Sequence, residues 1–194
     1  TGSLSMDNLR SLKLLTIPEI HERFQIDLSI PTILITFHPE TVLFERNKEY
    51  VEELIAALKE IDEYQFLITM PNADTLGNMI RSKLQDFIKT SKNAIGVESL
   101  GTLGYLSCMK NCAFMLGNTS SGFIEAAYFP KYVVNIGTRQ QGRIVTENIR
   151  NCAIQKADIL DAIKLFDNFR PSKKIDIYGD GFAAQKMIKI LKTI

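Results

Sequence analysis

Hydrophobic residues follow two repeating patterns along this chain. Short runs of consecutive apolar residues, many of them β-branched, predict strands that are buried on both faces. Longer segments between them place apolar residues at helical spacing, with charged residues in between. The runs predict strands at 32–37, 65–70, 94–97, 114–116 and 132–136, and a last short one at 153–155. The longer segments predict helices at 49–61, 75–88, 101–112, 120–129 and 158–169, and a basic amphipathic helix from residue 182 onward.

The regular alternation of strands and helices predicts an α/β fold with a doubly wound parallel sheet. Residues 1–27 are mixed, with scattered apolar residues and with Pro18, which stops or restarts the chain. We interpret this segment as a linker with one short helix, for which Asp7 is a candidate cap. In a doubly wound sheet, ligands bind at the carboxyl ends of the strands. The residues that directly follow each strand are therefore the ones to inspect for function.

Polar residues stand directly after each of the first five predicted strands. In chain order they are His38, Asn72, Glu98 with Ser99, Asn118 to Ser121, and Arg139. A chance distribution would not place such side chains immediately after every apolar run. Because the carboxyl ends of parallel strands meet at one edge of the sheet, this pattern indicates a single crevice that binds a polar ligand.

The segment FMLGNTSSGFIEAAYF, residues 114–129, has the features of an anion-binding site. An apolar strand ends at Gly117, the hydroxyl-bearing residues Thr119, Ser120 and Ser121 follow, and a predicted helix directs the positive end of its dipole at this turn. The alternative is an ordinary helix start, where Thr or Ser caps the first turn and nothing binds. The polar residues at the other strand ends favour the anion site.

Each further candidate residue has a functional and a structural interpretation. His38 can contact a phosphate or assist proton transfer, or it can be a loop histidine bonded to a backbone carbonyl. Glu125 can accept hydrogen bonds from a ribose diol, or it can stabilise a helix N-terminus. Arg139 and Arg143 can neutralise a diphosphate or be solvated loop cations. Asn72 can recognise a base edge or bridge a turn, and the sequence does not separate the two.

Composition narrows the class of protein. The chain has 194 residues, 45% of them hydrophobic and 23% charged, which is enough for one domain with a sizeable core. The net charge of +1, without any basic run, predicts no binding to nucleic acid or to an anionic membrane surface. The sequence predicts no membrane span and no signal peptide, and hence a soluble, cytoplasmic protein. The three cysteines match neither a disulfide framework nor a zinc pattern, so we expect reduced thiols, no metal and no cofactor.

Several motifs, taken in this order, resemble one known family. They are TFHPET (36–41), PNAD (71–74), GTLGYLS (101–107), GNTSSGFIEA (117–126), NIGTRQQGR (135–143), EN (147–148) and YGDG (178–181). Their order and spacing resemble the UDP-N-acetylglucosamine 2-epimerases, in particular the hydrolysing branch that leads to sialic acids. The non-hydrolysing relatives carry HR where this chain has His38-Pro39, and a glycine pair where it has Ser120-Ser121. The resemblance extends over nearly the whole chain.

The resemblance implies a GT-B architecture, in which two Rossmann-like domains enclose the active site, and this chain is the C-terminal one. Residues 1–28 then close an absent N-terminal domain, residues 29–178 form the nucleotide-binding domain, and residues 179–194 form a helix that packs back towards the N-terminal domain. The resemblance implies UDP contacts for nine residues: His38, Asn72, Leu100, Thr119, Ser120, Ser121, Glu125, Arg139 and Arg143. His38 would also assist the departure of UDP, and so have a catalytic role.

The implied reaction converts UDP-N-acetylglucosamine and water into N-acetylmannosamine and UDP through a glycal. The resemblance also implies that the catalytic carboxylates lie in the N-terminal domain, so we expect the present chain to bind UDP weakly and to turn nothing over alone. A homodimer is a further expectation. Two alternatives remain open: the donor-binding domain of a GT-B glycosyltransferase, and a non-catalytic domain that binds nucleotide sugars.

Overall fold

The computed structural model describes residues 1–71, 75–169, 175 and 177–193. In these residues it contains strands β1 Thr32–Thr36, β2 Gln65–Thr69, β3 Ala94–Val97, β4 Phe114–Gly117, β5 Val133–Ile136 and β6 Ile149–Cys152. The α-helices are α1 Leu4–Ser11, α2 Ile17–Phe24, α3 Asn47–Leu58, α4 Thr75–Thr90, α5 Gly101–Asn111, α6 Glu125–Tyr128, α7 Lys156–Lys164 and α8 Ala183–Leu191. Short 3-10 turns lie at Phe44–Arg46, Ser120–Gly122 and Leu165–Asn168.

The strands form one parallel sheet in the order β3-β2-β1-β4-β5-β6. The chain winds outward from β1 to β3, then crosses back and winds the other way from β4 to β6. The direction of winding therefore reverses between β1 and β4, where Thr36 is paired with Gly117 at the carboxyl ends of the two strands. This arrangement confirms the predicted doubly wound sheet and places its switch point at Gly117, within the segment 114–129 singled out from the sequence.

Helices cover both faces of the sheet, which explains the continuous apolar runs of the strands. All five residues of β1 are buried. Ile33 and Ile35 pack with α3, α4 and α7 on one face, and Leu34 packs with α1, α2, α5 and α6 on the other. Because helices pack on both faces of the central strands, the loops that follow these strands start from a close-packed core. No helix in the described ranges is long and apolar enough to cross a lipid bilayer.

The N-terminal segment contains α1 and α2, where the sequence predicted one short helix. A capping box begins α2: the Thr16 hydroxyl accepts from the backbone of Glu19, whose carboxylate accepts from the backbone of Thr16. Ser3, and not Asp7, is the N-cap of α1. The Asp7 carboxylate instead accepts hydrogen bonds of 2.8 Å from the backbone N–H groups of Ala183 and Ala184. Asp7 is thus a helix cap, but for the distant helix α8.

The last strand also differs from the prediction. We expected it at 153–155, and it is β6, Ile149–Cys152, paired with β5. Arg150 and Asn151 in the middle of this edge strand are exposed. An edge strand needs little apolar surface, so its sequence lacks the hydrophobic run by which buried strands are recognised.

Candidate functional site

The carboxyl ends of β1 and β4 approach each other unusually closely at Gly117. This residue has a φ of +145°, and a Cβ atom there would lie 1.9 Å from the carbonyl oxygen of Thr36. Only glycine fits such a contact. The polar turn that follows β4 therefore starts directly beside the end of β1, at the switch point of the sheet.

Asn118 joins the two strand ends. Its side-chain Oδ1 accepts from the backbone N–H of His38 at 2.7 Å, and its Nδ2 donates to the backbone carbonyl of His38 at 2.8 Å. The Asn118 side chain is fully buried. It therefore has a structural task, and it places His38 next to the polar turn that begins at Thr119.

A buried carboxylate, which the sequence analysis missed, holds a third loop in place. Oε1 of Glu40 accepts from the backbone N–H groups of Thr138 and Arg139, both at 3.1 Å. Glu40 is only 2% exposed. A Cβ atom at Gly137 would lie 2.5 Å from the same oxygen, so glycine is required there as well. No local pattern identifies this role, because the partners of Glu40 lie 98 and 99 residues further along the chain.

The predicted arginines belong to this third loop. Arg139 donates from Nη1 to the carbonyl oxygen of Asn118 at 3.2 Å, and Gln140 donates from Nε2 to the same oxygen at 2.8 Å. Arg143 in turn donates from Nε to Oε1 of Gln140 at 2.5 Å. Both arginines are exposed residues with an anchored guanidinium group. We refer to Glu40, Asn118 and the loop 137–143 as the strand-end network.

The segment after Asn118 is not the regular helix 120–129 that the sequence predicted. It consists of a 3-10 turn, Ser120–Gly122, and the four-residue helix α6. Gly122 lies so close to β5 that a Cβ atom would be 2.9 Å from Cγ1 of Val133. A helix this short has only a small dipole, so the expected dipole contribution to anion binding is wrong. The available donors are individual hydroxyl and N–H groups.

The hydroxyl groups of the polar turn form a small local network. Oγ1 of Thr119 accepts from the backbone N–H of Ser121 at 3.4 Å and lies 3.1 Å from the Ser121 hydroxyl. This arrangement caps the 3-10 turn and orients the hydroxyl groups of Thr119 and Ser121 at the switch point. Thr119, Ser120 and Ser121 are all partly exposed, and are therefore accessible to a ligand.

Glu125 lies in a cavity of about 150 Å³ next to this turn. The cavity is smaller than a typical ligand pocket and accommodates only part of a ligand. Its lining comes from Ser5, Asn8, Thr102, Tyr105, Leu106, Ser121 and Glu125. We call it the Glu125 cavity. The contributions of α1 and α5 were not predicted, because nothing local in their sequence indicates that they face Glu125.

Burial raises the pKa of the Glu125 carboxyl group above its ordinary value. Its own backbone N–H, the Ser5 side chain and the charge of Arg143 act in the opposite direction and lower the pKa. Burial also raises the pKa of Tyr105, whose hydroxyl lies 3.4 Å from Oγ1 of Thr36. The cavity thus holds a carboxylate that is poorly solvated, a natural partner for the hydroxyl groups of a ligand.

Leu100 lies where β3 leads into α5. It is 6% exposed and is the N-cap residue of α5, without a side-chain cap. The hydroxyl of Ser99 accepts from the backbone N–H of Gly101 at 3.2 Å. Since Tyr105 lies one turn further along α5, the backbone at Leu100 and the Glu125 cavity are connected through a single helix.

Two other residues that the sequence placed at this edge of the sheet are Glu98 and Asn72. Glu98 forms an ion pair with Arg81 at 2.7 Å, and the same guanidinium donates to the carbonyl of Pro71 at 2.8 Å. Arg81 therefore connects Glu98, which follows β3, with Pro71, which follows β2. Asn72 lies outside the described residues.

Comparisons with known proteins identify the family. The model of the family "UDP-N-acetylglucosamine 2-epimerase" matches residues 1–192. A UDP-N,N'-diacetylbacillosamine 2-epimerase (hydrolyzing) from Legionella pneumophila is 30% identical over 193 residues, which is 100% of this chain and 51% of that protein. A GDP/UDP-N,N'-diacetylbacillosamine 2-epimerase (hydrolyzing) from Campylobacter jejuni is 32% identical over 158 residues, 81% of this chain and 41% of that protein. The chain thus spans about half the length of these relatives.

A similar fold occurs in a solved structure, the UDP-GlcNAc 2-epimerase from Neisseria meningitidis bound to UDP-GlcNAc. The two superpose with a TM-score of 0.80 at 18% identity, over 100% of this chain and 55% of that one. The single doubly wound sheet thus corresponds to one Rossmann-like half of a GT-B architecture, as the motifs predicted. The chain belongs to the UDP-N-acetylglucosamine 2-epimerase family.

Proposed function

We propose that this chain is the UDP-binding, C-terminal domain of a hydrolysing UDP-N-acetylglucosamine 2-epimerase. The observation that carries the proposal is the meeting of the polar turn 119–121, the strand-end network and the Glu125 cavity at the switch point of the sheet. In doubly wound folds this is the place where nucleotides bind. Family membership supplies the chemical class of the ligand.

The proposed contacts follow from the chemistry of each group. The hydroxyl and N–H groups of Thr119, Ser120 and Ser121 bind the diphosphate, while Arg139 and Arg143 neutralise its charge. The Glu125 carboxylate accepts from the ribose hydroxyls, because a carboxylate beside a diphosphate is useful only where it meets hydrogen-bond donors.

The remaining contacts lie on either side of the diphosphate. His38, held by Asn118 beside the turn, contacts the phosphates and assists the departure of UDP. The backbone at Leu100 and the side chain of Asn72 frame the uracil. The role of Asn72 rests on the resemblance of its motif alone.

The proposed reaction proceeds in two steps. A base removes the proton from C2 of the sugar, a C1–C2 double bond forms, and the bond from C1 to oxygen breaks so that UDP leaves with the electron pair. Water then adds its oxygen to C1 of this glycal, and C2 receives a proton on the opposite face. The products are UDP and N-acetylmannosamine. This chain stabilises the departing diphosphate, and a separate N-terminal domain supplies the base.

The sugar itself has two candidates. UDP-N-acetylglucosamine is the substrate in the family's name. A UDP-diacetamido-trideoxyhexose is the second candidate, since the Legionella and Campylobacter relatives are named for diacetylbacillosamine. Both sugars carry an acetamido group at C2, so elimination follows the same course with either. With the first sugar, the product would enter the route to sialic acids.

We also propose that the full-length protein is cytoplasmic and forms a homodimer. In it, this chain functions together with an N-terminal domain. All three cysteines are free thiols, Cys108 and Cys112 are buried, and burial raises the pKa of all three. Free thiols of this kind are typical of a reducing compartment.

The proposal is tested by product analysis of the full-length protein with each UDP-sugar, with and without a sugar acceptor. We expect UDP and a free 2-epimerised sugar in equal amounts without any acceptor. Transfer of the sugar to an acceptor would instead indicate a glycosyltransferase. Binding without turnover by the full-length protein would indicate a non-catalytic nucleotide-sugar-binding protein.

The 194-residue chain alone is expected to release no N-acetylmannosamine from UDP-N-acetylglucosamine. Measurable release by purified chain would show that the catalytic base lies within these residues.

A further inference from the structure

The helix α1 presents three different faces to three parts of the molecule. Met6 and Leu9 are buried in the core. Asp7 caps α8, and Arg10 stacks on the ring of Phe182 with 3.6 Å from Cζ to the ring centroid. The third face carries Ser5 and Asn8, which are three residues apart and both line the Glu125 cavity.

Ser5 faces the same small cavity as Glu125. Both residues line the cavity, the Ser5 side chain lowers the pKa of the Glu125 carboxyl group, and the Ser5 hydroxyl lies 2.9 Å from the hydroxyl of Ser3. A serine hydroxyl donates one hydrogen bond and accepts others, so Ser3 can donate to Ser5 while Ser5 donates to Glu125. Such a chain of hydroxyl groups would end on the carboxylate.

We infer that Ser5 is a positioning residue of the nucleotide site: its hydroxyl orients the Glu125 carboxylate so that the carboxylate accepts from the vicinal diol of a ribose. The inference rests on the proposed function for the identity of the ligand. The cavity that contains both side chains carries it independently of that function.

The group that positions Glu125, the Ser5 hydroxyl, is separate from the contacts that stabilise α1. The stability of α1 comes from the buried Met6 and Leu9, from the Ser3 cap and from the contacts with α8. Replacing Ser5 with alanine removes no apolar contact and introduces the residue with the highest helix propensity. The variant is therefore expected to fold like the wild type, while its carboxylate loses a donor.

The first experiment compares the affinities of UDP, 2′-deoxy-UDP and 3′-deoxy-UDP by calorimetry. The variants are Ser5→Ala, the hydroxyl-retaining Ser5→Thr and the control Ser11→Ala, an exposed residue at the other end of α1. In Ser5→Ala, the preference for UDP over at least one deoxy analogue is expected to fall about 3-fold or more. Ser5→Thr and Ser11→Ala are expected to keep the preference. An equal loss of affinity for all three nucleotides would contradict positioning and indicate a structural role.

A second experiment follows the Glu125 side-chain carbon by NMR through a pH titration of the free protein. Removal of the Ser5 hydroxyl is expected to raise the carboxyl pKa further, whereas Ser11→Ala leaves it as in the wild type. The charged and titratable groups that also act here, Arg143 and Tyr105, are the same in every variant. An unchanged pKa in Ser5→Ala would overturn the contact, even if UDP binds. Failure of the wild-type chain to bind UDP would overturn the proposed ligand, while the titration still decides whether Ser5 controls the carboxylate.

Discussion

The strand-end network and the Glu125 cavity lie at the same edge of the sheet but are built in opposite ways. In the network, buried polar groups of Glu40 and Asn118 meet backbone partners at 2.7–3.1 Å. In the cavity, burial raises the pKa of Glu125, so its charged form is less stable there than in water. The network contributes to folding, whereas the cavity holds a carboxylate whose further hydrogen-bond partners would come from a ligand. Substitutions in the two regions should therefore have opposite effects on stability.

The largest effect is expected at the point where the network begins. Gly117→Ala forces a Cβ atom to within 1.9 Å of the Thr36 carbonyl oxygen, at a backbone conformation that disfavours side chains. We expect a loss of about 4 kcal/mol or more in the free energy of unfolding, measured in urea. Gly142→Ala is the matched control. It also has positive φ, +86°, but a Cβ atom there meets nothing within 4 Å, so about 1 kcal/mol is expected. Equal losses in both variants would show that the close approach of the strands is not the cause.

A smaller loss is expected for Asn118→Ala. This substitution leaves the N–H and carbonyl of His38 without their side-chain partner, at an estimated cost of about 2–3 kcal/mol. The control is Asn78→Ala on the exposed face of α4, for which a change within about 0.5 kcal/mol is expected. The measurement is again urea unfolding. A loss at Asn118 no greater than that at Asn78 would contradict the structural role of this side chain.

A substitution of Glu125 in the cavity is expected to increase the stability of the folded protein, whereas the substitutions in the network decrease it. The folded-state pKa of Glu125 lies above its ordinary value of 4.5, so the folded protein binds more protons than the unfolded chain between these two values. Stability contributed by this group is complete at low pH and is lost as the pH rises through that window. Glu125→Gln should remove this decline, and the neutral variant should be more stable than the wild type at pH 7, although it loses UDP binding.

Glu19→Gln is a control in which the pKa of the carboxyl group is shifted in the opposite direction, so the expected change in stability is also opposite. Hydrogen bonds from the backbone and side chain of Thr16 lower the pKa of Glu19, so its contribution is present above the ordinary value and is lost as the pH falls through the folded-state pKa. This variant should lose stability at neutral pH, while Glu125→Gln gains it. The check is thermal unfolding from pH 3 to pH 8. A stability loss in both variants would contradict the account of the cavity.

The sequence predicted those parts of the fold that depend on local pattern. The four inner strands β1, β2, β4 and β5 were recognisable because helices cover both of their faces. The edge strand β3 has no buried residue but retains a short apolar run, whereas the other edge strand, β6, has the exposed Arg150 and Asn151 in place of such a run. The helix expected at 120–129 failed for a tertiary reason. Gly122 lies so close to β5 that a Cβ atom there would be 2.9 Å from Cγ1 of Val133, and helix propensities do not include such packing between distant segments.

The residues of the candidate site also divide into those that the sequence predicted and those that it did not. Residues that directly follow strands, such as His38 and Arg139, were named from the sequence because the topology of a doubly wound sheet fixes where strand ends meet. Glu40 and Tyr105 were missed because their partners lie on other elements. Ser5 was missed because it reaches Glu125 from a helix that sequence analysis assigned to a linker. Such contacts depend on packing between segments distant in the chain.

The central claim is that the polar turn and the Glu125 cavity bind UDP, and calorimetric titration of the chain with UDP tests it most directly. The wild type should bind, Ser120→Ala and Glu125→Ala should abolish or strongly reduce binding, and Glu63→Ala, an exposed residue at the opposite edge of the sheet, should bind like the wild type. Unchanged affinity in both Ser120→Ala and Glu125→Ala would contradict the account.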